Sequence, residues 1–207
     1  MPDQLETEIK FPVRDPAALR SALMRIGAIS QGQVSEYNIR LDDDIWSLSE
    51  NNVVLLLRRS EEQNGEVIRT LTFKADLDPQ DADSPVQTRR EIEVNISDIE
   101  AMLAILRELG YIPYWRYEKR REVFTWRRVE IMLDEMPYGW FVEIEGDEDD
   151  MRRLVEKLGL NIADSIPYSY AEIFQHVCRN LDLNVHDLTF EAFAGVDVPP
   201  EAYYPAG

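Results

Sequence analysis

The sequence has 207 residues, with 22 basic and 40 acidic side chains and a formal net charge of −18. This length suits one well-buried domain and leaves little room for a second independent core. Because the negative charge repels phosphate backbones and anionic lipid head groups, we expect neither nucleic acid nor a membrane as a partner, although a small anion can bind where basic side chains are concentrated.

The cysteine content and the apolar runs indicate a cytoplasmic protein. Cys178 is the single cysteine, so no disulfide can form within the chain, which suits a reducing compartment. The first residues contain no apolar segment that resembles a signal peptide, and the longest aliphatic run, Val53 to Leu57, is too short to cross a bilayer. We therefore expect a cytoplasmic location.

A charged, alternating strand followed by an amphipathic helix occurs three times. The first copy is ETEIKF followed by DPAALRSALMRIGA, in which Asp15 is the predicted N-cap and Pro16 the first helical residue. The second is REIEVNI followed by SDIEAMLAILRELG, where Ser97 and Glu100 have the spacing of a capping box. The third is FVEIEG followed by DEDDMRRLVEKLG, whose acidic first turn suits the positive end of the helix dipole.

Other strands are predicted between these units. NVVLLLRR and VIRTLTFK form a hairpin around Asn64 and Gly65, and a long strand runs from about Lys119 to Leu133. A second turn is predicted around Tyr138 and Gly139, whereas the polar stretch from Asp76 to Pro85 is predicted to be a loop.

The end of the chain changes in character after a last helix. This helix is predicted from about Ser169 to Asn180, because Ser169 and Glu172 again have capping-box spacing. The composition then loosens into VDVPPEAYYPAG. We predict one domain over residues 1–180 and a C-terminal tail over residues 181–207.

Each repeated strand places two acidic residues on one face: Glu6 and Glu8, Glu91 and Glu93, and Glu143 and Glu145. Residues two apart on a strand are separated by about 7 Å, and two like charges at that distance repel by about 2 kcal/mol at an effective dielectric constant of about 20. Such a face can be solvated, as one face of an antiparallel sheet often is. Alternatively, bound cations can offset the repulsion.

Basic residues occupy comparable positions on several strands: Lys10, Arg58, Lys74, Lys119 and Arg121. If helices cover the apolar side of the sheet, the sheet can curl so that its charged face lines an interior. Such a lumen suits a metal-bound polyphosphate, because carboxylates bind hard divalent cations and basic groups bind phosphate oxygens. Trp115, Trp126 and Trp140 flank strands, and we expect them to pack outside such a barrel.

The sequence resembles the CYTH superfamily of triphosphate tunnel metalloenzymes, which includes class IV adenylyl cyclases, thiamine triphosphatases and inorganic triphosphatases. Glu6, Glu8 and Lys10 match the ExExK signature. From about Leu5 to Phe174 the later motifs follow in order: VLLLRR resembles the LRxR strand, LTFK the T-aromatic-K strand, RREIEV the paired-glutamate strand, EKRR the K-x-R element, LDEMPYGWFVEIEG the aspartate followed by ExE, and YSYAEIF the tyrosine-bearing closing segment.

The resemblance implies an α+β fold in which an eight-stranded antiparallel barrel forms a tunnel with helices packed on the outside. It implies Mg²⁺ or Mn²⁺ as cofactor, with metal ligands at Glu6, Glu8, Asp134, Glu143 and Glu145. It implies contacts to the triphosphate from Lys10, Arg58, Lys74, Lys119 and Arg121, among which Lys10, Lys74 and Arg121 are the candidate catalytic residues. Glu91 and Glu93 would orient basic neighbours or hold a second cation.

Two positions depart from the family pattern. Leu56 stands where the first arginine of LRxR is expected, so one phosphate contact is missing unless Arg59 or Arg40 replaces it. Asp42 matches the aspartate of the aromatic-D-T segment, but Leu41 precedes it where an aromatic residue is expected. This second departure argues against tyrosine-assisted hydrolysis of the thiamine triphosphatase kind.

The implied activity is metal-dependent processing of a small-molecule triphosphate, either inorganic triphosphate or an organic one such as ATP or thiamine triphosphate. Attack by water would release phosphate, and we expect this phosphohydrolase activity. Attack by the ribose 3′-hydroxyl of ATP would give cyclic AMP and pyrophosphate, as in a class IV-type adenylyl cyclase. A non-catalytic module that binds polyphosphate or nucleotide is the third interpretation. A homodimer is compatible with the sequence, but no stripe of residues identifies an interface.

Overall fold

The computed structural model describes residues 3–76 and 86–205, except for the side chain of Asp3. The eight strands within these residues are β1 (Asp3–Val13), β2 (Ile29–Asp42), β3 (Val53–Glu62), β4 (Val67–Asp76), β5 (Gln87–Asn95), β6 (Ile112–Trp126), β7 (Val129–Met136) and β8 (Gly139–Gly146). The five α-helices of the described part of the chain are α1 (Pro16–Arg25), α2 (Ser47–Glu50), α3 (Ile99–Glu108), α4 (Glu148–Leu158) and α5 (Tyr170–Asn180). The predicted loop from Asp76 to Pro85 lies outside the described residues apart from Asp76, which ends β4.

The strands close into one antiparallel barrel in the order β1-β5-β4-β3-β2-β6-β7-β8, with β8 returning to β1. This confirms the predicted barrel. The long strand predicted from Lys119 to Leu133 is wrong, because Arg127 adopts a left-handed conformation (φ 54°) in a turn that separates β6 from β7. The strand β2 was not among the strands predicted from the pattern, since its first half is largely exposed and lacks apolar alternation.

Local signals explain most helix boundaries. The Asp15, Asp147 and Ser169 side chains cap α1, α4 and α5, and Ser169 forms the predicted capping box with Glu172. The predicted cap at Ser97 is wrong, because Asp98 lies directly before the first helical turn of α3 and accepts a hydrogen bond from the Ala101 amide. None of the described helices has the length and apolar character needed to span a membrane.

The apolar cores lie between the barrel wall and the helices. One core joins α1 and α4 to the strands around β7, and its fully buried residues include Leu23, Ile131 and Leu154. A smaller core joins α3 to β2 and β3 through Leu103, Leu106 and neighbouring aliphatic residues. These helices cover the outside of the barrel, as predicted, and leave the inner faces of the strands to polar side chains.

The helix α5 and residues 181–205, here called the C-terminal segment, pack over one end of the barrel. Phe174 stacks on Trp115 with ring centroids 5.6 Å apart, and Tyr203 contacts Phe141 at 5.1 Å. Leu188 is fully buried and exchanges backbone hydrogen bonds with β6. Although predicted as a tail, the C-terminal segment supplies part of an apolar core.

Candidate active site in the barrel lumen

The interior of the barrel contains a polar cavity of about 380 Å³, here called the lumen. Nine of the ten predicted site residues line it: Glu6, Glu8, Lys10, Arg58, Lys74, Lys119, Arg121, Glu143 and Glu145. The tenth, Asp134, is fully buried directly behind this lining and contacts Lys119 and Arg121. The structure therefore brings all ten residues together.

Strand register explains why residues far apart in sequence meet here. Glu8 lies opposite Glu145, and Lys10 lies opposite Glu143, across the β1–β8 pair. Opposed residues of an antiparallel pair project to the same face of the sheet. Because that face is the inside of a closed barrel, alternation along each strand sends every second side chain into the lumen.

Arg121 and Asp134 form a two-pronged ion pair in the site, in which the Asp134 side chain is fully buried. The guanidinium binds both carboxylate oxygens, at 2.7 and 2.6 Å, and also lies 2.6 Å from Glu143. Burial lowers the pKa of Arg121, but the charge of Asp134 more than offsets this and raises it well above its usual value. Asp134 also accepts hydrogen bonds from the Lys119 ammonium at 3.3 Å and the Tyr170 hydroxyl at 2.9 Å. Its oxygens are therefore already well supplied with donors.

Glu36, which was not predicted, balances two of the expected phosphate contacts. Its carboxylate lies 3.3 Å from Arg58 and 3.5 Å from Lys119. Burial raises the pKa of Glu36, but the charges of Arg58 and Lys119 outweigh this and lower it to about 2. Arg58 also donates to the side-chain oxygen of Asn38 at 2.9 Å. No sequence motif pointed to Glu36, because β2 itself was missed.

The two remaining predicted phosphate contacts, Lys74 and Lys10, also pair with acidic side chains. Lys74 contacts Glu6 at 2.7 Å and Glu91 at 3.2 Å, and Lys10 contacts Glu143 at 3.3 Å. The carboxylates around Lys74 raise its pKa, overcoming the opposite effect of burial. Glu91 is predicted to orient a basic neighbour or to hold a second cation, and the basic side chain that it contacts is Lys74.

Two carboxylates of the β1–β8 pair are crowded by like charges. Burial and the charge of Glu143 raise the pKa of Glu8, although Arg89 lies 3.1 Å away. Burial and the charge of Glu6 raise the pKa of Glu145 to about 8. Within the part of the chain that the structure describes, Glu145 has no ion pair. A proton or a bound cation would relieve this crowding.

The chemistry of these carboxylates fits a hard divalent cation, which prefers oxygen ligands. In residues 3–76 and 86–205, however, no three acidic, histidine or cysteine side chains are already arranged around a common metal position. The reason is visible in the contacts above, because Glu6, Glu8 and Glu143 each face a basic side chain. A cation would have to take over part of these ion pairs.

Tyr170 is a further lumen residue that the motif YSYAEIF pointed to only in general terms. Besides its hydrogen bond to Asp134, its ring lies 4.3 Å from the Lys10 ammonium and 5.7 Å from that of Lys119. It therefore holds three charged groups at the end of the lumen that α5 covers.

The structure also places the residues at which the chain departs from the family pattern. Leu56 faces the lumen, whereas Arg59 lies outside the barrel and pairs with Glu61 at 2.8 Å. Arg40 lines the lumen next to Leu56. Asp42 caps the short helix α2 by accepting from the Leu48 and Ser49 amides.

The aromatic residues divide between the two faces of the barrel. Trp126 packs in the outer core, as expected. The expectation for Trp115 is wrong, because its ring faces the lumen and stacks on Phe174 of α5.

A second cavity of about 620 Å³, here called the vestibule, adjoins the lumen and shares with it Arg40, Lys74 and Trp115. Trp46 and Tyr114 lie in its wall in edge-to-face contact at 5.0 Å.

Comparison with solved structures supports the fold. A protein from Vibrio parahaemolyticus, provisionally named an adenylate cyclase, is 24% identical with a TM-score of 0.69, covering 83% of this chain and 98% of the other. A protein from Pyrococcus horikoshii OT3 is 26% identical with a TM-score of 0.66, covering 82% and 98%. A Hippeastrum protein, provisionally named an adenylyl cyclase and described as having a dominant triphosphatase activity, is 15% identical with a TM-score of 0.57, covering 82% and 95%.

Comparison with curated proteins gave no significant match. The CYTH domain model, in contrast, matches residues 4–170, which include every strand of the barrel after the first residue of β1 and the tyrosine that begins α5. With this match, the closed barrel and the ordered series of charged motifs, the chain belongs to the CYTH family.

Proposed function

We propose that this protein is a divalent-metal-dependent phosphohydrolase that acts on a triphosphate. The observation that carries this proposal is the lumen itself, in which acidic and basic side chains from all eight strands converge within one closed barrel. Members of the CYTH family are adenylate cyclases or triphosphatases and are generally metal-dependent. Hydrolysis is the reaction with the fewest requirements, since it needs only the triphosphate, the cation and water in the site.

The basic side chains would bind the triphosphate and stabilise charge that develops on it. Arg58 and Lys119 are held by Glu36, which orients them into the lumen. Lys10, Lys74 and Arg121 each contact a carboxylate that would hold the cation, and we assign them to the reacting phosphate. Positioned cations of this kind lower the energy of a phosphoryl-transfer transition state in which negative charge moves onto the phosphate oxygens.

Glu6, Glu8, Glu143 and Glu145 would hold Mg²⁺ or Mn²⁺. When bound, the cation would offset the charge of the phosphates and lower the pKa of water in the site. Asp134 was predicted as a fifth ligand, but its hydrogen bonds to Arg121, Lys119 and Tyr170 favour a positioning role. We propose that Asp134 fixes the direction of the Arg121 guanidinium.

A second candidate function is the conversion of an organic triphosphate, including the cyclisation of ATP. The vestibule favours it, because its wall contains the rings of Trp46 and Tyr114 beside a lumen lined with phosphate-binding groups. Rings in such a wall can pack against a base or another flat organic group. Cyclisation would require the vestibule to hold the nucleoside so that its 3′-hydroxyl reaches the phosphate next to the ribose.

Phosphorus NMR of the purified protein distinguishes these functions. The protein is incubated with Mg²⁺ or Mn²⁺ and, separately, with tripolyphosphate, thiamine triphosphate and ATP. If the protein is a phosphohydrolase, orthophosphate should appear among the products. If it is a cyclase, cyclic AMP and pyrophosphate should appear, and ATP should be the only one of the three substrates that gives them. Tight binding with no metal-dependent product after long incubation would overturn the enzyme proposal in favour of a binding module.

A matched pair of variants ties any activity to the lumen. Glu8→Gln removes a proposed metal ligand and is expected to lose metal-dependent turnover. Arg152→Ala removes an exposed residue of α4 whose guanidinium pairs with Glu148, and it should leave turnover unchanged. Activity that survives in Glu8→Gln would come from a different site or a contaminating enzyme.

A further inference from the structure

Leu56 and two polar side chains form a row across three strands of the lumen. Arg40 on β2 lies opposite Leu56 on β3 and, on its other side, opposite Trp115 on β6. All three residues line the lumen. Because cross-strand neighbours have their Cβ atoms about 5 Å apart, a side chain from Arg40 can reach much of the space that a longer residue at Leu56 would occupy.

Buried polar atoms without a hydrogen-bond partner concentrate on β2 and β6 around this row, where Arg40 and Trp115 line the lumen and Glu36 and Asn38 are buried beside it. Among the described residues they are Glu36 Oε2, Asn38 Nδ2, Arg40 Nε and Trp115 Nε1. Glu36 has its charge balanced by Arg58 and Lys119. The other three atoms are donors, and buried donors are normally paired, so their grouping indicates that an acceptor belongs beside them.

Arg40 also differs from the other basic side chains of the lumen in its charge balance. Each of the others lies within ion-pair distance of a carboxylate: Lys10, Arg58, Lys74, Arg89, Lys119 and Arg121. Arg40 forms no ion pair within residues 3–76 and 86–205, and its guanidinium lies 5.7 Å from the ring of Tyr114. Its positive charge is therefore available to an anion.

We propose that Arg40 binds the triphosphate, supplying from β2 the guanidinium that Leu56 does not supply from β3, and that the indole N–H of Trp115 donates to the same phosphate. This inference rests on the proposed function. Because both residues also border the vestibule, the phosphate they bind is the one nearest to it. In an organic triphosphate, that phosphate is the one that carries the organic group.

Calorimetric titration with imidotriphosphate and Mg²⁺ tests the assignment without turnover, because the bridging nitrogens resist hydrolysis. Arg40→Gln should weaken binding about ten- to a hundredfold, the effect of losing a charge-assisted hydrogen bond. Arg59→Gln is the matched control, since Arg59 lies on the outer face of the neighbouring strand, and it should bind like the wild type. Arg40→Lys keeps the charge but loses the planar fork and should fall between the two.

A residue exchange gives the sharpest test. Arg40→Leu should lose affinity, and the double variant Arg40→Leu with Leu56→Arg should recover most of it, because the guanidinium then enters the same space from β3. Circular dichroism and the melting temperature of each variant verify that the barrel has formed. A structural role for Arg40 would lower the melting temperature of Arg40→Leu, and the exchange would not restore binding.

The outcomes separate this inference from the proposed function. If the wild type does not bind imidotriphosphate, the proposed function fails and this inference fails with it. If the wild type binds and Arg40→Gln binds equally well, only the role of Arg40 is overturned. A double variant that binds no better than Arg40→Leu would likewise contradict the exchange between β2 and β3.

Discussion

Two walls of the lumen differ in their polar groups: one has crowded carboxylates, and the other has hydrogen-bond donors without acceptors. The acidic wall is formed by Glu6, Glu8 and Glu145 on β1 and β8, and burial together with the charges of neighbouring carboxylates raises the pKa values of Glu8 and Glu145. The donor wall, formed by Arg40 on β2 and Trp115 on β6 with Asn38 buried beside them, holds buried N–H groups without acceptors.

The difference between the walls indicates a ligand with two parts. A cation would satisfy the acidic wall, and an anion with several oxygen atoms would satisfy the donor wall. A metal-bound triphosphate supplies both at once. The comparison also predicts that removing a charge should have opposite effects on stability at different places in the lumen.

The largest effect is expected at Asp134, which lies between the walls in a fully paired environment. Asp134→Ala should lower the free energy of unfolding by about 3 kcal/mol, because Arg121 and Lys119 would lose a buried partner. Urea unfolding measures this loss, with Arg152→Ala as an exposed ion-pair control that should change stability by less than about 0.5 kcal/mol. A stability equal to that of the wild type would show that the buried pair contributes nothing.

On the acidic wall the same kind of change should act in the opposite direction on stability. Glu8→Gln or Glu145→Gln should reduce metal-dependent turnover by about a hundredfold or more, because each removes a proposed ligand. The free energy of unfolding should stay the same or rise, since each also removes a crowded charge. Steady-state kinetics and urea unfolding of the same samples measure both effects. Normal turnover in both variants would remove these residues from the metal site.

A smaller effect is expected from Lys74, the base that faces the acidic wall. Lys74→Ala should weaken triphosphate binding about tenfold at low salt and less at high salt, because mobile ions screen the lost contact. Calorimetric titrations over a series of salt concentrations measure this dependence. Arg59→Ala controls for the loss of one positive charge outside the lumen. Parallel salt dependences for wild type and Lys74→Ala would exclude a direct ionic contact.

The smallest effect concerns the pH dependence of stability. Burial and the charge of Glu6 raise the pKa of Glu145 from 4.5 to about 8, so the folded protein keeps a proton that the unfolded chain releases between these values. The stabilisation from this proton is complete below about pH 4.5 and is lost as the pH rises towards about 8. Urea unfolding across this range should show a fall in stability that is shallower in Glu145→Gln. Identical slopes would contradict the raised pKa.

The sequence was sufficient to predict the parts of the site that depend on alternation within one strand. Glu6, Glu8 and Lys10 share a face because they stand two apart, and the order of later motifs identified their partners on other strands. Glu36 and Arg40 were harder to place, because their importance depends on the register of β2 against β3 and β6. The hydrogen bond between Tyr170 and Asp134 spans 36 positions of the chain and has no local signal.

The apolar contacts at the covered end of the barrel were the least predictable part of the fold. The composition of the C-terminal segment resembles that of a linker, yet Leu188, Phe193 and Tyr203 are all buried. Their burial depends on the shape of the surface they cover, which no spacing rule describes. Gly139 illustrates this dependence, because a Cβ atom there would clash with the Tyr203 hydroxyl group.

This arrangement has a practical consequence for anyone who shortens the protein. The match to the family model ends at residue 170, but Phe141 and Trp115, the cross-strand neighbours of Asp134 and Arg40, are covered by α5 and the C-terminal segment. A recombinant fragment that stops after Asn180 would keep every charged group of the lumen and lose part of the apolar lid that holds their strands in register. Such a fragment would contain every charged side chain of the site, but the strands that carry them would no longer be held in position.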